Sequence, residues 1–464
     1  MPLRTSFPRS RFGLRTALGL LISLGAARPL SAQDISAQYR DVANRILTRA
    51  TKDSAAWLRL AELTERFGNR FSGSDRLERA LDWTLQQMQR DGLDGVRGEP
   101  VMIPKWVRGS ESAELVQPRR QALPMLGLGG SIATPPAGIT AEVLVVSSFD
   151  DLKAKAAQAK GKIVLFDVPF TNYGETVQYR GSGAVEAARV GAVASLIRSV
   201  TPYSQRTPHT GGMRYDSTVK KIAHAAITVE DAEMLHRMQD RGERIVVKLT
   251  MSARMMPDVP SRNVVAELRG TEFPDEVVVM GGHTDSWDVG RGAMDDGGGV
   301  VAAWEAIRIL KELGLRPRRT IRVVGWVNEE NGSRGGDAYR DRYRNEAEKH
   351  VLAIESDGGV FRPEGFGFTG SDAATAIVKQ VASLLAPFGA GTISKGGGGA
   401  DIGPIMQLGV PGMGLNVDGT KYFWYHHTDA DTIDKLDPHD LALCVATMAI
   451  MAYVVADLPD RLPR

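Results

Sequence analysis

The sequence predicts an α/β fold: a mainly parallel, mixed sheet covered by helices on both faces, with an inserted β-rich domain. Three observations carry that expectation. From Asn263 onward, short β-branched runs alternate with helical patterns, as in a chain of strand–helix units. Polar, acid-rich segments follow several of those runs, at the strand ends where open α/β folds keep their functional loops. Around Gly127 the composition shifts to the Gly/Pro-rich LGLGGSIATPPAG, which reads as a crossing into a separate unit.

At 464 residues the chain is too long for one small core, and two or three domains are expected. Apolar residues at 43% and charged residues at 24% are those of an ordinary globular protein. A formal charge of +2 argues against nucleic acid or an acidic membrane face as partner. The single cysteine, Cys444, excludes an internal disulfide and a thiolate zinc cluster, and its apolar surroundings make it a core residue. At the N-terminus, Arg4, Arg9, Arg11 and Arg15 precede an apolar run over residues 17–27 and then Ser31-Ala32. This is the order of a secretory signal, and the run is too short to span a bilayer. Residues 1–32 are therefore expected to be cleaved, leaving a secreted or periplasmic chain with no membrane span.

Residues 33–92 have helical spacing, with Ala56, Leu58, Leu60 and Leu63 and then Leu77, Leu81, Trp83 and Met88 on apolar faces. Residues 96–107 look extended, closing an N-terminal part assigned to 33–125. Residues 126–252 form the inserted unit, where strands at 143–146, 163–166 and 245–249 alternate with helical stretches. Residues 253–464 then form the main domain. Its strands are predicted at 277–280, 321–327, 351–355 and 412–415. Its helices are predicted at 300–313, 335–349, 373–386 and 441–456. The last helix is apolar all round, and at 16 residues it fits a buried core helix better than a membrane span.

The chemistry gathers in four stretches. GGHTDSWDVGRGAMDDGGG, residues 281–299, sets His283, Asp285, Asp288, Asp295 and Asp296 among seven glycines. Imidazole and carboxylate together suit a divalent cation, zinc first, and glycine lets backbone crowd a charged centre. Asn328-Glu329-Glu330-Asn331-Gly332 and Ser356-Asp357-Gly358-Gly359 follow two further strands. Tyr425-His426-His427-Thr428-Asp429-Ala430-Asp431-Thr432 comes late in the chain. Singly, each is explained as a solvated turn. Four such clusters near the strand ends of one sheet point to a shared site.

The ordered set H-x-D, an Asp before a Gly-rich helix start, N-E-E-x-G, S-D and H-x-x-x-D-T resembles the co-catalytic di-zinc exopeptidases. That family includes bacterial secreted leucyl aminopeptidases and glutamate carboxypeptidases. The longer words, with YFWYHHTDADT among them, are most similar to its plasma glutamate carboxypeptidase branch. KGKIVLF, AARVGAVASLI and HAAITVEDAEML in the insert resemble a protease-associated domain. The resemblance implies the zinc exopeptidase fold and two zinc ions per chain, one held by His283 and Asp357 and one by Glu330 and His427. Asp295 would bridge the pair, leaving each ion an open position.

By the same resemblance Glu329 is the general base, with a hydrogen-bonding role as its alternative. Asp285 orients the His283 imidazole. The peptide joining Asp295 to Asp296 is cis in some members of the family, and Asp296 has no clear role. His426 stands where the glutamate carboxypeptidases carry a tyrosine that steadies the oxyanion. It would donate that hydrogen bond, or else be the ligand in place of His427. Thr428 and the Asp431-Thr432 pair favour His427 as ligand. His209, His224 and His236 read as ordinary residues, and His350 and His439 as surface residues.

The implied substrate is a dipeptide or short peptide, and homodimers are common among relatives. The residues leave the direction of attack open. An aminopeptidase needs a carboxylate for the substrate ammonium, with Asp288 or Glu355 as candidates. A carboxypeptidase needs a cation, with Arg291, Lys395 or Lys421 as candidates. The resemblance favours carboxypeptidase or dipeptidase action. Two other readings share the scaffold: a non-catalytic transferrin-receptor-like binding protein and a one-zinc glutaminyl cyclase. The filled ligand and base positions argue against both.

Overall fold

The computed structural model describes Met1, residues 32–203 and residues 205–464. The expected export signal falls almost wholly outside the described residues.

Two mixed sheets, each of eight strands, organise the chain. The first runs in the spatial order Asp94–Val107, Arg254–Leu268, Arg319–Trp326, Phe273–His283, His350–Glu355, Gly412–Val417, Pro363–Thr369 and Thr392–Lys395. Its centre is parallel: Phe273–His283 lies between Arg319–Trp326 and His350–Glu355, and Gly412–Val417 continues the same direction. Phe273–His283 from Val277 onward, Arg319–Trp326 and His350–Glu355 are buried almost throughout, which is why they read as continuous apolar runs. Antiparallel strands flank them on both sides.

Helices cover the sheet because each carries an apolar stripe or is apolar all round. The helix Gly298–Glu312 leaves the metal-type loop and packs on the C-terminal helix Pro438–Asp457. The latter starts at a Pro in its first turn and an Asp437 cap that accepts from the N–H groups of His439 and Asp440. By length and composition it is the one helix among the described residues that passes for a membrane span, yet 89% of its apolar window is buried inside the protein. It is the core helix of the main domain, with Cys444 donating from its midst to the Phe361 carbonyl.

The second sheet belongs to the insert. Its order is Gln121–Leu123, Glu111–Gln117, Val246–Met251, Ile139–Val146, Ile163–Phe166, Ala194–Arg198, Ala223–Ile227 and Met125–Gly127. The four strands from Ile139–Val146 to Ala223–Ile227 are parallel, and apolar clusters fill both faces. The insert is thus as much helical as β, with the helices Tyr173–Arg189 and Val229–Asp240 in its layers. It also begins earlier than the composition change suggests. Glu111–Gln117 pairs with Val246–Met251, so residues 111–125 join the insert rather than the N-terminal part.

Other differences are local. Leu58, placed on an apolar face by spacing, is 61% exposed. The strands Pro363–Thr369 and Thr392–Lys395 have no alternating pattern to announce them, because glycines interrupt the first and the second is only four residues long. His350 is buried, not at the surface: its Nε2 meets the Tyr339 hydroxyl at 2.9 Å and its Nδ1 donates to the Glu346 carbonyl.

Candidate metal centre

The strand Phe273–His283 ends at His283, and the turn Ala293–Gly297 then brings Asp295 back over the strand end. Asp296 explains the tightness of this return. One of its carboxylate oxygens accepts the N–H of His283 and the other that of Gly299, both at 3.0 Å. A Cβ at Gly299 would lie 2.0 Å from the Ser356 carbonyl, so only glycine fits there. The Asp295-Asp296 peptide is cis.

Two further groups hold the loop. The fully buried Arg70 donates to the carbonyls of Thr284, Arg291 and Gly292. Asp431 accepts N–H groups from Ala293, Met294 and Asp295. One residue takes the loop's carbonyls and the other its amides.

The predicted site residues converge. His283 Nε2 lies 3.1 Å from Asp295 Oδ1 and 3.2 Å from Asp357 Oδ1. His427 Nε2 lies 3.2 Å from Asp295 Oδ2 and 3.0 Å from Glu330 Oε2. Each oxygen of Asp295 thus faces a different histidine, with Asp357 on one side and Glu330 on the other. The ring of His426 stacks on His427 with centroids 3.5 Å apart, and its Nε2 is 3.5 Å from Asp295 Oδ2. Donor atoms of His283, Asp295 and Glu330 lie within 4.8 Å of one another, as do those of Asp295, His426 and His427, and of His283, Asp296 and Asp357.

These residues fit a divalent cation. The Nδ1 of His283 donates to the Asp285 carbonyl at 3.0 Å, and the Nδ1 of His427 faces the Thr210 carbonyl at 3.3 Å. Those partners assign the ring protons to Nδ1 and leave each Nε2 as a bare lone pair. Both lone pairs then point at carboxylate oxygens, an arrangement that a cation between them would reconcile. The charge balance agrees. Burial and the Asp295 carboxylate push Glu330 up to about 7. Burial alone would lower His427, but Glu330 and Asp295 raise it to about 9. The pocket is short of positive charge.

Glu329 stands beside this set, with Oε2 4.0 Å from His283 Nε2. Its N–H donates to Asp285 Oδ1, whose other oxygen accepts from Ser72. Asp285 therefore orients the imidazole through its backbone carbonyl, while its carboxylate, 3.8 Å from Nδ1, positions Glu329. Burial, then the charges of Asp357, Glu330 and Asp295, hold the Glu329 carboxyl well above the usual range. It faces a cavity of 830 Å³ between the two domains, lined also by Trp106, Arg180, Met213 and Met255.

Arg180 and Thr210, which sequence reasoning did not single out, reach this cluster from the insert. Arg180 Nη1 lies 3.4 Å from both the Thr210 carbonyl and His427 Nδ1, and Nη2 donates to the Tyr173 hydroxyl. Its Nε is buried without a hydrogen-bond partner among the described residues. His209, expected to be ordinary, is buried near His426 and His427, and burial pushes it down to about 3.

The substrate-end candidates fare differently. Asp288 is engaged by Arg108 at 2.5 and 2.8 Å. Glu355 is buried and accepts from the N–H groups of Asp401 and Ile402. Arg291, Lys395 and Lys421 are exposed.

Residues 263–452 match the family described as Peptidase family M28. The chain is 51% identical over 429 residues to carboxypeptidase Q of Xenopus laevis, covering 92% of each protein. It is 49% identical to carboxypeptidase Q of Homo sapiens, covering 91% of this chain and 90% of that one. A Peptidase M28 precursor from Shewanella amazonensis has a similar structure, with a TM-score of 0.89 and 36% identity over 92% of this chain and 99% of that one. A zinc aminopeptidase from Bacillus subtilis shares the fold at a TM-score of 0.65 and 20% identity, over 86% of this chain and 93% of that one. The chain belongs to the M28 peptidase family and is a carboxypeptidase Q-like metallo-exopeptidase.

Proposed function

We propose that this enzyme is an exported dipeptidase or carboxypeptidase that works with a pair of zinc ions and binds the free carboxylate of its substrate through Arg180. The observation that carries the reading is the buried guanidinium on the wall of the Glu329 cavity, whose Nε has no partner among the described residues. Of the carboxylates available to an aminopeptidase, Asp288 is already engaged by Arg108, and Glu355 holds two backbone amides on one oxygen while the other has no partner among the described residues.

His283 and Asp357 would hold one ion, Glu330 and His427 the other, with Asp295 shared. When bound, zinc supplies Lewis-acid polarisation of the scissile carbonyl and acidifies water at neutral pH. Arg180 grips the terminal carboxylate and so sets the register of the peptide across the cavity. Glu329, its backbone fixed by Asp285, takes the proton of the attacking water on its carboxylate and returns it to the leaving nitrogen. His426, pressed against His427, offers its ring N–H to the developing oxyanion. The inserted unit would be a protease-associated domain. The N-terminal residues 1–32 would direct export to the periplasm or medium, and the mature chain is proposed to form a homodimer.

Zinc content of the purified mature chain tests this reading together with hydrolysis of a dipeptide, its C-terminal amide and its N-acetyl form. About two zinc ions per chain, with activity lost on C-terminal amidation, supports it; N-acetylation then separates a carboxypeptidase, which tolerates it, from a dipeptidase, which does not. Activity lost on N-acetylation and kept on amidation would make the enzyme an aminopeptidase. Absence of both zinc binding and hydrolysis would favour a binding protein.

A further inference from the structure

We infer that the inserted unit completes the second metal site: the Thr210 carbonyl is the acceptor that orients the His427 imidazole, so tight binding of one zinc ion depends on the insert being docked. This rests on the two-zinc reading above and concerns a dependence that reading does not contain.

The two ligand histidines are oriented by different parts of the molecule. His283 finds its Nδ1 acceptor two residues along its own chain, at the Asp285 carbonyl. His427 has no such local partner. Its Nδ1 faces Thr210 O at 3.3 Å and Arg180 Nη1 at 3.4 Å, both from the insert. A guanidinium has no lone pair to accept a proton, so only the Thr210 carbonyl can take the N–H that leaves Nε2 free for a metal. The contact is reciprocal, since the Thr210 N–H donates to the His427 carbonyl at 3.0 Å. His427 itself sits at φ 61°, in the left-handed region that side chains disfavour. The Thr210 clamp is therefore placed where the backbone most needs support.

Docking is maintained by contacts away from the metal residues. The Thr201 hydroxyl lies 2.6 Å from the Phe423 carbonyl and 2.6 Å from the Tyr203 carbonyl, and its one proton is shared between them. The Phe423 ring stacks on Tyr173 at 4.9 Å and 18°, and meets Phe170 at 5.5 Å. These groups hold the segment that leads into His427 against the insert. Loosening them would leave the His283 side intact and free the His427 ring to rotate.

The test is equilibrium zinc binding by competition with a chromophoric chelator, with near-ultraviolet circular dichroism reporting on folding. The full chain is compared with Thr201→Val, with Phe423→Ala and with the double variant. One zinc ion should weaken by about 10- to 100-fold, the usual effect of losing a partner that orients a ligand, while the other keeps its affinity. His427→Ala identifies the affected ion: adding Thr201→Val to it should not weaken the remaining zinc further. Unchanged affinity for both ions in a double variant whose insert contacts are disrupted would overturn the inference, as would equal weakening of both. Should Phe423→Ala fail to fold, Thr201→Val, which removes a single hydroxyl, carries the same comparison. Binding of a single zinc by the unaltered chain would remove the two-metal reading and the inference with it.

Discussion

Asp431 accepts the backbone N–H of Asp295 at 3.2 Å, and so a residue in the late motif positions the carboxylate at the centre of the imidazole–carboxylate cluster. Its other oxygen takes the N–H groups of Ala293 and Met294 at 3.0 and 2.8 Å. Asp431→Ala leaves three buried amides without an acceptor, at about 1–3 kcal/mol each before relaxation. Zinc affinity should fall by about 10- to 100-fold, with a clear drop in melting temperature. Asp431→Asn, which keeps one acceptor oxygen, should lie between the variant and the parent. Chelator competition and thermal denaturation measure both effects.

Glu329→Gln separates proton transfer from metal holding. Its neighbour Glu330, not Glu329, faces His427 at 3.0 Å, so the zinc content should stay that of the parent. The turnover number should fall by about 10²- to 10⁴-fold, the usual contribution of a general base. Loss of zinc in this variant would make Glu329 a ligand instead.

Arg180→Gln removes the charge on the cavity wall while retaining a polar side chain. The KM for dipeptides with a free carboxylate should rise about ten- to a hundredfold, as expected for a hydrogen bond to a charged group. Steady-state kinetics on the C-terminal amide should show no matching change. An equal effect on both substrates would assign Arg180 to the fold alone.

His350 gives the chain an acid-sensitive element far from the metal. Burial pushes it down to about 4 from 6.5. Its unfolded form takes up a proton that the folded form refuses, so stability is present above 6.5 and is lost as pH falls towards 4. His350→Gln in the chelated protein should flatten the dependence of the urea midpoint on pH across that window. The change in slope should approach about 1.4 kcal/mol per pH unit. Equal slopes in parent and variant would show that His350 titrates alike in both states.

The sequence by itself determined the alternation of strands and helices and the identity of the metal-type residues. Both are local properties. A strand that stays apolar until it meets a polar turn places His283, Glu329, Glu330 and Asp357 at one edge of the sheet, whatever the rest of the chain does. For the late pair His426-His427 the motif favoured His427 and left His426 as the alternative, because neighbours in sequence differ only in where their rings point. In the fold His427 meets Glu330 at 3.0 Å, while His426 lies 3.5 Å from Asp295 and stacks on its neighbour. Only the fold could reveal Arg180 and Thr210. They are separated from His427 by 247 and 217 residues, and nothing in their own segments marks them as its neighbours. The physical reason is that their roles arise from docking of one domain on another. Local pattern encodes which face of an element is buried, but not which distant carbonyl or guanidinium will meet it there.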